Sequence, residues 1–370
     1  MDPMYVEDWE RTRARFAAWW ENEVLDRPVA VMTVRRPKPR RALRSIPEAE
    51  TVERLLLDPQ YAVDAQEILL ATHDFIGDAI PQAGRGLGVG TLGAVAGGTP
   101  HFAKNTVWVN HSVTDWADVP LPRFDPGGPA MMSMLSVADA LRDNARGRYL
   151  LAVPDLLDAA TTMSQMQSGE DLIFSLCDDP EPVHAYRTAL TRVWLEAYDF
   201  WRAYDAAAGQ LDSINWTGVY AAGRGGVVQC DFSALLSPAM FRDFALPDIT
   251  AVAGNLDHAL FHLDGREEEK FLDDLFAVRH LRAFQWVYGT TSPSPSKYPD
   301  TIRRIQAAGR PVQVTCSADE LPALFQLLHP RGLMLRITPP AEQTLTRADA
   351  TSILRDLERW TSSFRACSTP

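Results

Sequence analysis

From residue 149 onward the chain alternates short apolar runs with helix-forming segments, and this rhythm restricts its fold more than any other feature. Tyr149-Leu150-Leu151-Ala152-Val153-Pro154 reads as a strand ending at Asp155, and Ser213-Ile214-Asn215-Trp216 as another strand end. Further apolar runs occur at Ala259-Leu260-Phe261-His262, Ala283-Phe284-Gln285-Trp286-Val287, Val312-Gln313-Val314-Thr315-Cys316 and Leu333-Met334-Leu335-Arg336-Ile337. The pattern predicts helices over 169–205 with a break near Asp179-Pro180, and over 237–257, 266–277, 299–308, 318–328 and 346–363. Such alternation builds parallel βα units. With the earlier run Val29-Ala30-Val31-Met32-Thr33-Val34 the tally approaches eight strands. The expected fold is therefore an α/β (β/α)8 TIM-type barrel, with an N-terminal helical extension and a long early insertion. No internal repeat or shift of composition divides residues 1–370, so one domain is expected.

The extension is a predicted helix over 4–23 whose Trp9, Phe16, Trp19 and Trp20 fall on one face. Residues 47–74 also read as helical. The insertion, 79–128, is rich in Gly and Pro and long enough to serve an active site. It contains Gly88-Val89-Gly90-Thr91-Leu92-Gly93, formally a dinucleotide fingerprint. No apolar strand precedes it, so a loop of tight turns is the better reading.

Charge and sulfur limit the partners. The net charge of −12 gives a surface that repels phosphate backbones, which argues against nucleic acid. One basic run, Arg35-Arg36-Pro37-Lys38-Pro39-Arg40-Arg41, reads either as a solvated loop or as a clamp for a substrate carboxylate. No run approaches the ~18–20 apolar residues of a membrane span. Asp2, Glu7, Asp8 and Glu10 interrupt any leader-like segment, and the four cysteines form no CxxC pair. A cytoplasmic protein with reduced thiols is expected.

In a barrel of this kind the chemistry sits at the C-terminal ends of the strands. That rule selects Asp155 and Asp158, Asn215 and Trp216, Cys230 and Asp231, His262 and Asp264, Gln285 and Trp286, and Cys316. His262 and Asp264 are two apart, so in a strand they share a face. An imidazole beside a carboxylate is either an acid–base unit or a pair of metal ligands. Asp264 could instead cap the next helix. Cys230 could complete a Cys/His/Asp metal set, since zinc accepts all three donors, or could be a buried thiol. Asp155 and Asp158 could form a proton-transfer pair or cap a helix. Trp216 and Trp286 could line an apolar pocket or fill the core.

Gln229-Cys230-Asp231-Phe232-Ser233-Ala234, Leu236-Ser237-Pro238-Ala239-Met240-Phe241-Arg242-Asp243-Phe244 and Leu246-Pro247 resemble the uroporphyrinogen decarboxylase superfamily. So do Phe261-His262-Leu263-Asp264-Gly265 and Phe284-Gln285-Trp286-Val287-Tyr288-Gly289. The resemblance runs from about Arg27 to Pro340, and its most specific part is shared with the corrinoid-protein and coenzyme M methyltransferases. It implies a (β/α)8 barrel and one of two activities. One is decarboxylation without a cofactor; the other is methyl transfer with a thiol-activating zinc and a corrinoid protein as partner. The decarboxylases carry Arg-Gln-Ala-Gly-Arg where this chain reads Met32-Thr33-Val34-Arg35-Arg36-Pro37; Gln82-Ala83-Gly84-Arg85 echoes that motif later in the chain. The zinc methyltransferases carry a cysteine at the position of Asp264 and another near Ile337-Thr338, where this chain has none.

The leading expectation is an enzyme that transfers a methyl group on a small, partly apolar substrate, with a corrinoid protein or thiol as acceptor. Its catalytic set would be His262, Asp264, Asp155 and Cys230, with zinc on His262, Asp264 and Cys230. Substrate would meet Trp216, Gln285, Trp286, Asp231, Arg35 and Arg36. A carboxylate-driven lyase and a non-catalytic binding protein are the alternatives, and the decarboxylase resemblance implies a homodimer.

Overall fold

The computed structural model describes residues 5–42, 46, 51–104, 106–109, 111–288 and 294–368. Seven strands form one hydrogen-bonded sheet: β1 (Val29–Arg35), β2 (His73–Gly77), β3 (Gly225–Val228), β4 (His258–Asp264), β5 (Leu281–Val287), β6 (Val312–Ser317) and β7 (Leu333–Thr338). Their spatial order is β2-β1-β7-β6-β5-β4-β3. Every neighbouring pair is parallel except β1 with β2. The predicted strands after residue 255 all form. The sequence pattern misses β3 because Gly225 and Gly226 hide it, and misses β2 because residues 47–74 read as one helix. That stretch is two helices, Val52–Leu57 and Pro59–Thr72, divided at Asp58. Pro59 takes the first helical position and Asp58 caps it through the amides of Gln60 and Tyr61. Residues 47–50 of the predicted helix lie outside the described residues.

The expected closed ring of eight strands is not what the hydrogen bonds show among the described residues. The sheet ladder stops at β2 and β3, and the remaining sector is built from short pieces. Gln82–Ala83 pairs in parallel with Leu150–Leu151, and the Val153 amide reaches the Ile214 carbonyl. The arrangement is an α/β fold, barrel-like in plan. One apolar cluster shows how it curls. Val29, Ile80, Leu150, Ala152, Ile214, Leu260, Ala283 and Met334 come from seven separate segments and meet in a single interior. The helix Trp9–Trp20 seals the strands' N-terminal end with Phe16, Trp19 and Trp20. Trp20 Nε1 donates to the Tyr220 carbonyl at 2.9 Å, and the indole meets His258 at the start of β4. With that end plugged, the C-terminal ends of the strands form the open side.

Strand parity then decides which side chains face the interior. On β4, Leu260 points inward while Ala259, Phe261 and Leu263 pack against the helical layer, so His262 and Asp264 also point inward. The single helix predicted over 237–257 is interrupted. It contains a π turn over Phe241–Ala245 between Pro238–Met240 and Leu246–Gly254. Pro247 has no amide to give and crowds the preceding turn. Arg187 Nη1 donates to the carbonyls exposed there, to Asp243 at 3.5 Å and to Phe244 at 2.7 Å. The predicted break at Asp179-Pro180 is present, between Gly169–Asp178 and Pro180–Ala207. Among the described residues no helix is long and apolar enough to cross a membrane.

Candidate functional site

Asp231, His262 and Asp264 converge at the open end. Each offers one ligand atom, and these atoms lie within 4.8 Å of one another. Asp231 begins the tight turn Asp231–Leu235 that follows β3, and His262 and Asp264 end β4. The strand parity expected for His262 and Asp264 therefore holds. The third member is Asp231 rather than Cys230, for the same reason. Gln229 and Asp231 face the interior, while Cys230 is 2 % exposed and belongs to the apolar layer under the helices. Its burial pushes the thiol well above its ordinary range, which disfavours the thiolate a metal would need. Cys316 is buried in the same layer.

His262 Nδ1 meets Gln285 Oε1 at 2.6 Å. Gln285 is an acceptor there, so Nδ1 carries the proton and Nε2 keeps its lone pair for the site. Gln285, expected to bind substrate, hydrogen-bonds the imidazole. Trp286, its neighbour, points the other way and is 1 % exposed, edge-on to Tyr288. Trp216 packs edge-on to the His262 ring, with centroids 5.1 Å apart.

The Asp155 carboxyl lies close enough to feel His262 and Asp231. Its Oδ1 accepts from the Leu157 amide at 3.0 Å and from Gln229 Nε2 at 3.1 Å. Leu157 has φ 54°, a strained conformation for a branched side chain, and Trp194 Nε1 fixes it by donating to its carbonyl. Burial raises Asp155 above the usual carboxylate range, against the pull of the Leu157 amide, His262 and Gln229. Burial also pushes Asp231 up to about 6; His262 pulls it down, and Asp264 and Asp155 push it further up. Asp231 Oδ1 is buried without a hydrogen-bond partner among the described residues.

Two carboxyls complete the neighbourhood. Asp158 caps the helix Ala159–Met166 through the Thr161 amide at 2.8 Å, so the capping role is the one seen. Its other oxygen has no partner among the described residues, and burial, with Asp231 and Asp248 nearby, pushes the group up to about 8. Sequence reasoning misses Glu268 altogether. It sits in the acidic run Glu267-Glu268-Glu269, within the helix expected over 266–277, and it is fully buried. Gly265, at φ 91°, turns the chain sharply after β4 and folds Glu268 back beneath Asp264.

A cleft of about 380 Å3 opens beside the cluster, within the size range of small-molecule sites. Asp155 and Trp216 form its inner end; Gln82, Arg85 and Gly86 form one wall, and Leu56 another. Gln82-Ala83-Gly84-Arg85 thus reaches the open side on its own short strand. Arg85 is 2 % exposed, with Asp205 2.6 Å away. Arg35 and Arg36 lie outside this cleft. Arg35 is exposed at the end of β1, and Arg36 is bound to Asp74 at 2.6 Å. Arg40 is bound to the same carboxylate and Arg41 to Glu67, so much of the basic run's charge is already matched.

No family model matches the sequence, and no curated protein is significantly similar to it. Among solved structures, the fold is similar to that of a methyltransferase from Methanosarcina mazei, with a TM-score of 0.56. The two chains are 14 % identical over 94 % of this chain and 98 % of that one. At that identity the likeness shows a shared fold.

Proposed function

We propose that this chain is an enzyme that binds a divalent cation through Asp231, His262 and Asp264 and transfers a methyl group on a small, partly apolar substrate held in the adjoining cleft. The observation that carries the reading is the cluster itself. Three ligand atoms lie within 4.8 Å, Asp231 Oδ1 lacks a partner among the described residues, and His262 is anchored through Nδ1 by Gln285. One nitrogen and two carboxylate oxygens suit zinc or a harder divalent ion. Among the described residues no sulfur joins them, so the site differs from a thiolate-rich centre. When bound, such a cation would act as a Lewis acid that lowers the pKa of a coordinated thiol, hydroxyl or water. Gln285 would keep His262 in the ligating tautomer. Trp216 would exclude water from the ring and offer an apolar face to substrate. Asp155 would hold or deliver a proton at the edge of the cluster.

The likeness to a methyltransferase fold supports methyl transfer, and on this reading residues 1–370 form one divergent uroporphyrinogen decarboxylase-like barrel. A corrinoid protein or a small thiol would then exchange the methyl group, and a homodimer in the cytoplasm is the accompanying expectation. A second reading, proton transfer to a carbanion in a lyase, is favoured by Asp155, whose buried carboxyl keeps its proton to higher pH than usual.

The test is metal analysis of protein stripped with chelator and reloaded with zinc, followed by methyl-transfer assays from methylated amines and thioethers to thiols. About one zinc per chain, lost in His262→Ala, supports the cation site. Binding no greater in the native protein than in His262→Ala would overturn it, and activity in stripped protein would favour the lyase.

A further inference from the structure

Asp231 and Asp264 come from different elements, one in the turn after β3 and one at the end of β4. Something must hold two like-charged carboxylates close together before any cation arrives. Glu268 touches both segments. Its Oε2 accepts from the Asp264 amide at 3.0 Å, and its Oε1 accepts from the Ser233 hydroxyl at 3.1 Å. Ser233 is two residues beyond Asp231 and is 1 % exposed. The Ser233 amide donates back to the Cys230 carbonyl at 2.9 Å, which closes the turn around Asp231. On its other side the same turn is held by Thr161, whose hydroxyl oxygen accepts from the Phe232 amide at 3.0 Å.

A carboxyl group that is 0 % exposed and accepts bonds from two separate chain segments is a costly feature to keep without a use. Phe271 and Leu272, which follow it in the chain, are buried in the core cluster, and Phe241 stacks on Phe271. For bare packing, a hydrophobic side chain of the same size would serve. What a carboxyl group adds is two acceptors on opposite edges, each aimed at one of the ligand-bearing segments.

We infer that Glu268 is the positioning residue of the cation site: through Ser233 and the Asp264 amide it sets the separation of the Asp231 and Asp264 carboxylates. This rests on the cation reading given above. Glu268 does not itself contact substrate or supply a ligand atom. It acts by fixing the two ligand segments, as outer partners of metal ligands do elsewhere.

The experiment uses Co2+ as the probe, because its visible absorption reports the geometry of the ligands around it. Stripped full-length protein is titrated with Co2+ as native chain, Glu268→Gln and Ser233→Ala. Glu268→Gln keeps the volume and can still accept from Ser233, but presents an N–H to the Asp264 amide. Ser233→Ala removes the bond to the Asp231 turn alone and is the milder change. The expected result is a Co2+ affinity about 10- to 100-fold weaker in Glu268→Gln. Ser233→Ala should weaken binding in the same direction, and both should alter the Co2+ spectrum. Glu268→Asp, too short to reach both segments, should fail to restore the native spectrum. Native affinity and spectrum in Ser233→Ala and in Glu268→Gln would overturn the positioning role while leaving the cation site standing. If the native chain binds no Co2+, the cation reading fails, and this inference with it. A structural role alone would lower the unfolding midpoint and leave the Co2+ spectrum of the folded fraction unchanged, which also counts against the proposal.

Discussion

Asp158→Asn should make the protein more stable relative to the native chain as pH rises. Asp158 sits at the start of the helix Ala159–Met166, where its Oδ1 accepts from the Thr161 amide. Asparagine caps a helix about as well as aspartate and has the same size, so the substitution removes a titration and little else. The carboxyl is buried, its Oδ2 has no partner among the described residues, and its pKa is raised to about 8, first by burial and then by Asp231 and Asp248. An unfolded chain releases that proton near about 3.9. Between the two values the unfolded chain has lost a proton that the folded chain keeps. Native stability therefore falls with rising pH, by about 1.4 kcal/mol per pH unit for this group. From pH 5 to pH 8 the loss comes to about 3–4 kcal/mol, because the slope flattens as the folded group itself ionises. The asparagine variant carries no such loss. The assay is urea unfolding of both proteins at pH 5 and pH 8, in chelator so that Asp231 is in the same metal-free state throughout. The difference in stability should move in favour of the variant by about 3–4 kcal/mol over that range. An equal difference at both pH values would mean that Asp158 is already ionised when folded, and the burial argument would be refuted.

Gln285→Leu should weaken zinc binding about 10- to 100-fold, since His262 would lose the acceptor that fixes its tautomer; unchanged affinity by competitive chelator titration would rule out that role. Cys230→Ala should leave the zinc content at the native level, because the thiol packs in the apolar layer away from the cluster; loss of the metal would return sulfur to the ligand set. Asp78→Ala should destabilise the fold by about 3–5 kcal/mol, because it leaves buried Arg27 without its carboxylate partner, while Arg15 keeps Asp26 at 2.8 Å. A loss below about 1 kcal/mol in urea unfolding would show that Arg27 finds another partner.

The strands from β4 to β7 are legible in the sequence because they are predominantly apolar runs of the right length. β3 and the Gln82–Ala83 piece are not, because glycine and a two-residue length carry no periodic signal. At the site, strand parity holds more than residue chemistry extracts from it. The alternation that places His262 and Asp264 on one face also places Gln285 inward and Trp286 outward, and Asp231 inward and Cys230 outward. Applied to every strand end, that single rule separates the three clustered side chains from the thiol and the indole that chemistry alone makes attractive. Glu268 is a different case. Its burial depends on the turn at Gly265, which reverses the chain by a left-handed φ, and no local pattern in Arg266-Glu267-Glu268-Glu269 distinguishes the buried acid from its neighbours. Parity can expose the members of the cluster, but the acid that joins the segments carrying Asp231 and Asp264 emerges only when those segments are brought together. The groups most firmly built into this site are thus those read best from its tertiary contacts, which is why perturbing Glu268 and Gln285 tests the reading more sharply than removing a ligand.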